Sequence, residues 1–434
     1  MNWRPAIISR LGGYPLADAM LLFEQLAEQA VVTDAPPTKV WDIVRWHWEH
    51  TPFFKNQLID FPKKWDEIPI LTKKGYQAVS LENRLCSAYK INDCHIAKTA
   101  GSTGEPLIFA KDKMCHALTW AANAARYQQH GLDLFADWQA RFYGMPLDSK
   151  KFWIETCKDR LAHRKRFSVM DLSEDTLELY IQSFQKKPFA YVYGYANSLL
   201  TFAHYLIKTQ RVLKHLCPSI RCAISTSELL LPEDRPILEQ AFGVKIIVEY
   251  GVSELDIVAF DDAQGNWILN TETIYVEVVD DHGKKVPEGV VGNLVITSFY
   301  NKAHPFIRFA VGDRGAIRFD TSLGKYLLEQ LEGRQNDQIR LPSGKIAAGY
   351  TCTYVAKALC DKLPCLRELA FHQYSPALFE IIYVSDRPLL PNEIHYFSET
   401  MAQYLEPGLD IKPIEVFDIP KTTSGKLKRF TAHF

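Results

Sequence analysis

From residue 189 onward, short apolar runs alternate with longer stretches whose apolar positions recur every three or four residues. Phe189–Tyr193 predicts a strand and Asn197–Arg211 a helix. Ile220–Ser225 and Val244–Glu249 predict two more strands around a helix at Leu231–Phe242. Such alternation predicts α/β architecture, a sheet with crossover helices. Upstream, residues 17–60 read as helical, with Trp41, Trp46, Trp48, Phe53 and Phe54 as packing residues. Asp112–Gly131 reads as a helix stopped by its glycine. After Trp267 the pattern turns to hairpins: strand Ile274–Val279, turn Asp280–Gly283, strand Gly292–Phe299. Gly333–Asp337 is polar and charged and reads as a boundary. Beyond it the pattern gives a short strand, a Ser343-Gly344 turn, a helix to Leu363, strands at 366–373 and 378–384, a helix at 391–404 and a strand at 411–417. That is enough chain for a second, small α/β domain.

Composition narrows the partners. The 434 residues carry a net charge of −1, with 47% hydrophobic and 23% charged residues, so neither nucleic acid nor an acidic membrane is implied. No segment approaches the roughly 20 apolar residues of a spanning helix, and residues 1–10 carry no leader pattern, which reads as a cytoplasmic protein. Nine cysteines are scattered without a CxxC pair, as for reduced thiols. A metal site from Cys360, Cys365 and His372 competes with the reading of these cysteines as small buried hydrophobes. The oligomeric state stays open, a homodimer included.

The candidate chemistry begins at Thr99-Ala-Gly-Ser-Thr-Gly-Glu-Pro106. A loop of this composition can bare backbone N–H groups to phosphate oxygens, and the hydroxyls of Thr99, Ser102 and Thr103 add donors. No Lys-Ser/Thr follows Gly104, so it is not a Walker loop. Further segments follow in order: Ile224-Ser-Thr-Ser-Glu-Leu229, Glu249-Tyr-Gly-Val-Ser-Glu254, Arg308-Phe-Ala-Val-Gly-Asp-Arg-Gly315, Glu332-Gly-Arg-Gln-Asn-Asp337 and Pro420-Lys-Thr-Thr-Ser-Gly-Lys426. Each alone also reads as an ordinary turn or solvated charge.

Taken together, in this order and spacing, the six segments resemble those of the adenylate-forming superfamily of acyl-CoA synthetases, carrier-protein adenylation domains and luciferases. The compact length resembles the phenylacetate–CoA ligase-like branch, as do His50-Thr-Pro-Phe-Phe54, Ile68–Lys73 and Asn301–Arg308. The resemblance implies a large multi-sheet α/β domain at 1–336 and a smaller, mobile C-terminal α/β domain at 337–434. It implies ATP-dependent conversion of a carboxylic acid to an acyl-adenylate, pyrophosphate release, and acyl transfer to a thiol. CoA is the leading acceptor, with a carrier-protein phosphopantetheine or an amine as alternatives. A non-catalytic nucleotide- or acyl-adenylate-binding relative is a further alternative.

By the same resemblance, Thr99, Gly101, Ser102, Thr103 and Gly104 hold the ATP phosphates, and Glu254 holds Mg²⁺. Tyr250, with Gly251 and Ser253 in its loop, and the corner at Ser227 and Glu228 enclose the adenine. Asp313 takes the ribose hydroxyls, Arg334 reaches the ribose or phosphates, Lys426 bridges carboxylate and α-phosphate, and Asn336 is the hinge. The acid is expected along Phe142 and Tyr143, Tyr193, and Ile224 and Ser225. These positions are mostly aromatic or apolar and favour an aryl or apolar acid; Arg141 borders them and can read a polar substituent. Three departures stand out. Glu105 replaces the lysine common in the phosphate loop, Asn336 replaces the common Asp or Lys, and 255–270 lacks Cys and His, so no zinc is expected there.

Overall fold

The computed structural model describes residues 13–28, 36–99, 106–144, 149–334, 338–349, 351–422 and 427–434. The chain divides into two compact units, Met1–Val311 with Ala316–Gln330, and Gly312–Gly315 with Leu331–Phe434.

The first unit is built on a large mixed sheet. Its parallel half consists of β4 (Gln139–Tyr143), β5 (Arg164–Ser168), β6 (Tyr191–Tyr195), β7 (Cys222–Thr226) and β8 (Lys245–Val252), in the order β5-β4-β6-β7-β8. The sheet continues antiparallel through β9 (Asp256–Asp261) and β10 (Trp267–Leu269). Beyond them lie β14 (Lys325–Arg334), β13 (Phe309–Asp320), β12 (Gly292–Ser298) and β11 (Ile274–Val279), with the short β1 (Leu71–Thr72) beside β13. A separate hairpin joins β2 (Cys94–Lys98) to β3 (Ile108–Asp112).

Strand β7, Cys-Ala-Ile-Ser-Thr, is buried at every position, as expected of a parallel strand covered on both faces. One face packs on the helices Glu174–Lys186, Ala196–Lys208 and Arg235–Phe242. Leu199, Phe202, Ala203 and Leu206 recur at helical spacing and enter that core. The helix Arg235–Phe242 stops at Gly243, whose φ of +67° suits glycine; a Cβ there would also meet Val212 at 2.7 Å.

Phe142 lies at the centre of this core. It is fully buried and stacks on Phe167 at 5.2 Å and Phe184 at 6.4 Å. The expectation that it lines an acid site is corrected on this point: its side chain faces the helices, because neighbouring strand residues point to opposite faces and Tyr143 takes the other. Phe142→Ala is expected to cost about 3–5 kcal/mol in chemical unfolding while leaving any ligand selectivity unchanged.

The aromatic N-terminal region packs as expected. Trp41 and Trp46 lie against a cluster of Val40, Val44, Phe54 and Ile307. His47, from the helix Thr38–His50, is fully buried; it donates Nε2–H to the Asn301 carbonyl at 2.9 Å and accepts from the Thr51 hydroxyl at 2.7 Å. Asn301 donates to the Ala110 carbonyl and accepts from the amides of Ala303 and His304. The Asn301–Arg308 segment is thus a structural latch across helix, hairpin and sheet. Burial pushes the His47 pKa from 6.5 to about 4, opposed by Asn301 and helped by His50. Between those values the unfolded chain binds the extra proton. The contribution is therefore complete above pH 6.5 and lost as pH falls toward 4. Urea unfolding should show a loss of about 2 kcal/mol from this group between pH 7 and 5, and His47→Gln should remove that part of the slope.

The second unit carries a four-stranded sheet in the order β19-β18-β17-β20, with β17 Leu366–Gln373, β18 Leu378–Ser385, β19 Asp410–Glu415 and β20 Phe430–Ala432. The helices Thr351–Lys362 and Pro391–Tyr404 cover it through Val355, Leu359, Phe397 and Met401. A two-stranded sheet of β15 (Gln338–Arg340) and β16 (Ile346–Ala348) flanks the expected Ser343-Gly344 turn. Cys360 and Cys365 pack against this core, and the His372 imidazole meets His433 at 3.1 Å. Among the described residues no group of three or more His, Cys, Asp or Glu could hold a metal ion.

Candidate active site

Several of the singled-out segments meet in the first unit at the carboxyl ends of the parallel strands, where open α/β sheets bind ligands. Beyond Thr226, Ser227 adopts a φ of +66°, unusual for a residue other than glycine, and turns the chain outward. The Glu228 carboxylate accepts from the amide of Asn197 at 2.9 Å, in the first turn of the helix Ala196–Lys208. An anion there satisfies an orphan amide and the helix dipole. The Tyr143 hydroxyl lies 3.5 Å from the Ser227 hydroxyl.

The next segment is a tight reversal between β8 and β9. Gly251 lies at a register shift, and a Cβ on it would approach the Asp256 carbonyl oxygen to 2.8 Å. Tyr250 is nearly buried with its ring 6.2 Å from Trp267; Ser253 is exposed and Glu254 nearly buried. Asp256 has a φ of +64° and is held from two sides, by Lys111 Nζ and by the Thr119 hydroxyl, both at 2.6 Å. Lys111 is 3% exposed and belongs to β3. An ion pair with a buried lysine and a half-buried aspartate therefore ties the base of the β2–β3 hairpin to the turn that follows Glu254. Thr99, at the hairpin's end, accepts from the Leu107 amide through its side chain at 3.0 Å. Gly101, Ser102, Thr103, Gly104 and Glu105 lie outside the described residues, as do Asn336 and Lys426.

Sequence reasoning missed Glu249 as a site residue. Its carboxylate points into the sheet face toward the helix Lys113–Gln128, where it accepts from the Tyr193 and Thr226 hydroxyls, each at 2.9 Å, and from Tyr127 at 3.4 Å. Burial raises its pKa, opposed by the Thr226 and Tyr193 hydrogen bonds. The charged residue closing an apolar strand just before Tyr-Gly was the available signal. Ile224 is fully buried in the apolar cluster on this same face, whereas Ser225 is buried with no hydrogen-bond partner for its hydroxyl. Arg141 was noted only as a neighbour. It shares a face with Tyr143 and Tyr193, its guanidinium carbon 4.3 and 5.2 Å from their ring centres.

In the second unit, Asp313 is nearly buried within β13, and Arg334 ends β14. A separate small cavity of about 50 Å³, lined by Tyr275, Val286, Phe299 and Tyr326 among others, contains none of the motif residues.

Solved structures share this architecture. 2-Hydroxyisobutyryl-CoA ligase, solved in the postadenylation state with R3-HIB-AMP, superposes with a TM-score of 0.69 at 15% identity, over 91% of this chain and 88% of that one. The fold is that of the adenylate-forming CoA ligases. The anthranilate CoA ligase AuaEII, solved with anthranoyl-AMP, aligns with a TM-score of 0.54 at 18% identity over 79% of this chain and 66% of that one. Curated relatives match shorter stretches. Protein CapK of Staphylococcus aureus is 22% identical over 256 residues, 55% of this chain and 52% of CapK. Phenylacetate-coenzyme A ligase of Pseudomonas putida is 26% identical over 128 residues, 28% of each. The matches thus span about half of one relative and less than a third of the other. No family model matches the chain.

Proposed function

We propose that the chain activates a carboxylic acid with ATP and transfers the acyl group to a thiol. The carrying observation is convergence. The Ser227 corner, the Tyr250–Glu254 turn and Tyr143 with Tyr193 gather at the carboxyl ends of parallel strands in the CoA-ligase fold. In the first step a carboxylate oxygen attacks the α-phosphorus, the bond to the bridging oxygen breaks and pyrophosphate leaves. In the second a thiol sulfur attacks the acyl carbon and AMP leaves. CoA is the preferred acceptor; a carrier-protein phosphopantetheine or an amine would use the same acyl-adenylate.

Bringing two anions together requires donors and positive charge. In this reading the 99–104 loop holds the phosphates, Tyr250 faces the adenine, Asp313 holds the ribose, and Arg334 and Lys426 supply charge. Residues 337–434 form the mobile domain, turning at Asn336. Magnesium bound with a nucleotide keeps mostly phosphate and water ligands and asks the protein for one or two carboxylates, and Glu254 meets that requirement without a preformed metal cluster. When bound, the ion neutralises phosphate charge. The rings of Tyr143 and Tyr193 favour an aryl or otherwise largely apolar acid. No helix among the described residues is long and apolar enough to cross a membrane.

Acid-dependent exchange of labelled pyrophosphate into ATP tests this reading. Exchange with a subset of aryl or acyl acids is the expected result. No exchange with any aryl, acyl or amino acid would overturn it.

A further inference from the structure

The face that carries Tyr143 and Tyr193 is a row of cations. Arg141 of β4 is in register with Arg166 of β5 on one side and Tyr193 of β6 on the other, while Gln139 pairs with Arg164 and Tyr191. Alternation along each strand places Arg141, Arg164 and Arg166 on one side. Two of the three are neutralised. Arg166 binds Asp159 at 3.0 Å and Glu155 at 3.2 Å, and Arg164 approaches Asp159 at 3.4 Å, both acids coming from the helix Ser149–Leu161.

Arg141 has no carboxylate partner among the described residues, and its buried Nε–H has no acceptor. The nearby carboxylate, Glu249, is occupied by the hydroxyls of Tyr193, Thr226 and Tyr127. Arg141 lies instead against aromatic faces and shares a side-chain hydrogen bond with Tyr143, contacts that fix the guanidinium plane while its Nε–H stays without an acceptor. It is only partly buried, as are Tyr143, Tyr193 and Glu249. A guanidinium stripped of part of its water, with a buried N–H left without an acceptor, is costly unless a ligand completes it.

We infer that the activated acid carries, remote from the reacting carboxylate, an anionic or hydrogen-bond-accepting group, a second carboxylate or a hydroxyl, that binds the Arg141 guanidinium while the acid's body lies against Tyr143 and Tyr193. The inference rests on the acid-activating reading above and narrows its substrate class from apolar aryl acids to polar-substituted ones. Arg141 is then a specificity residue, matched to planar bidentate acceptors in a way lysine is not.

Matched pairs test it: benzoate against its hydroxy and carboxy derivatives, and phenylacetate against the same, in pyrophosphate exchange and in calorimetric binding without ATP. Wild-type protein should favour the substituted member of a pair by about 10- to 100-fold in kcat/KM, the worth of a hydrogen bond to a charged group. Arg141→Met should bring that ratio close to one, chiefly through KM, and Arg141→Lys should restore it in part. Wild-type preference for the unsubstituted acids overturns the inference. So does an Arg141→Met variant that keeps the ratio. If no acid supports exchange, the activation reading fails on its own. Calorimetry then decides the inference separately: tighter binding of substituted acids, lost in Arg141→Met, supports it, and equal or absent binding overturns it.

Discussion

Replacing Lys426 with alanine should slow acyl-adenylate formation by about 10²- to 10³-fold, the usual loss when one preorganised charge at a developing anion is removed. Acyl transfer from a supplied acyl-adenylate should fall far less. The reason lies in charge. Before adenylation a carboxylate and a phosphate repel each other, and a cation between them offsets that repulsion as the new bond forms. Once pyrophosphate has left, the acyl-adenylate is a neutral mixed-anhydride carbonyl beside one phosphate, and the same cation has little to stabilise. If the 337–434 domain turns at Asn336 between the two steps, the lysine is withdrawn as well. Single-turnover assays of each half-reaction separate these effects. Equal losses in both would contradict the division of labour.

The second large effect is structural and should appear at Lys111. Its ammonium and the Asp256 carboxylate are 2.6 Å apart, with the lysine 3% exposed. Lys111→Met leaves Asp256 facing a less polar neighbour, with only the Thr119 hydroxyl on its other oxygen. Breaking one side of a fully buried pair costs about 3–5 kcal/mol, whereas replacing both sides is often close to neutral; Asp256 is 28% exposed, so water offsets part of that cost here. Lys111→Met should therefore lower the unfolding midpoint sharply, and Lys111→Met with Asp256→Asn should recover much of the loss. Activity need not follow stability. Asparagine tolerates the left-handed backbone that Asp256 holds two residues after Glu254, so the turn should persist in the double variant, and any loss of nucleotide use that remains once stability is restored falls on the missing charge pair. Full recovery of pyrophosphate exchange would show that the pair serves stability alone.

Much of the architecture was legible in the sequence because buried parallel strands are apolar on both faces. Cys222–Thr226 and the helix at Ala196–Lys208 lie close to where their patterns put them. The strands that escaped are those whose polar residues are satisfied by other elements. Gln139–Tyr143 and Arg164–Ser168 carry arginine and lysine and do not read as central strands; the helix Ser149–Leu161 supplies acids to Arg164 and Arg166. Phe430–Ala432 is three residues long, and its neighbour in the sheet, Phe371–Gln373, is about 60 positions upstream.

The candidate site was legible as motifs but not as contacts. The turns at Ser227 and Gly251 were visible because unusual backbone draws small residues. Glu249 was not, since a carboxylate in a strand ordinarily points to water. Only the fold brings Tyr127, Tyr193 and Thr226 from three other elements to meet it. Phe142 carries the opposite lesson: both it and Tyr143 are expected along the acid, but adjacent strand residues point to opposite faces, and Phe142 faces the helices. The carboxylate of Glu228, expected with Ser227 to enclose adenine, also accepts from the start of a helix, a contact the motif does not show.

The central claim, that a carboxylic acid is activated as its adenylate, is tested most directly by following oxygen. An accepted acid labelled in its carboxylate with oxygen-18 would be incubated with ATP, magnesium and a thiol, and the AMP analysed by mass spectrometry. Attack of the carboxylate on the α-phosphorus, followed by thiol attack at the acyl carbon, leaves one labelled oxygen on AMP. Labelled AMP formed in step with thioester is the predicted result. Unlabelled AMP, or ADP and phosphate in its place, would contradict the account.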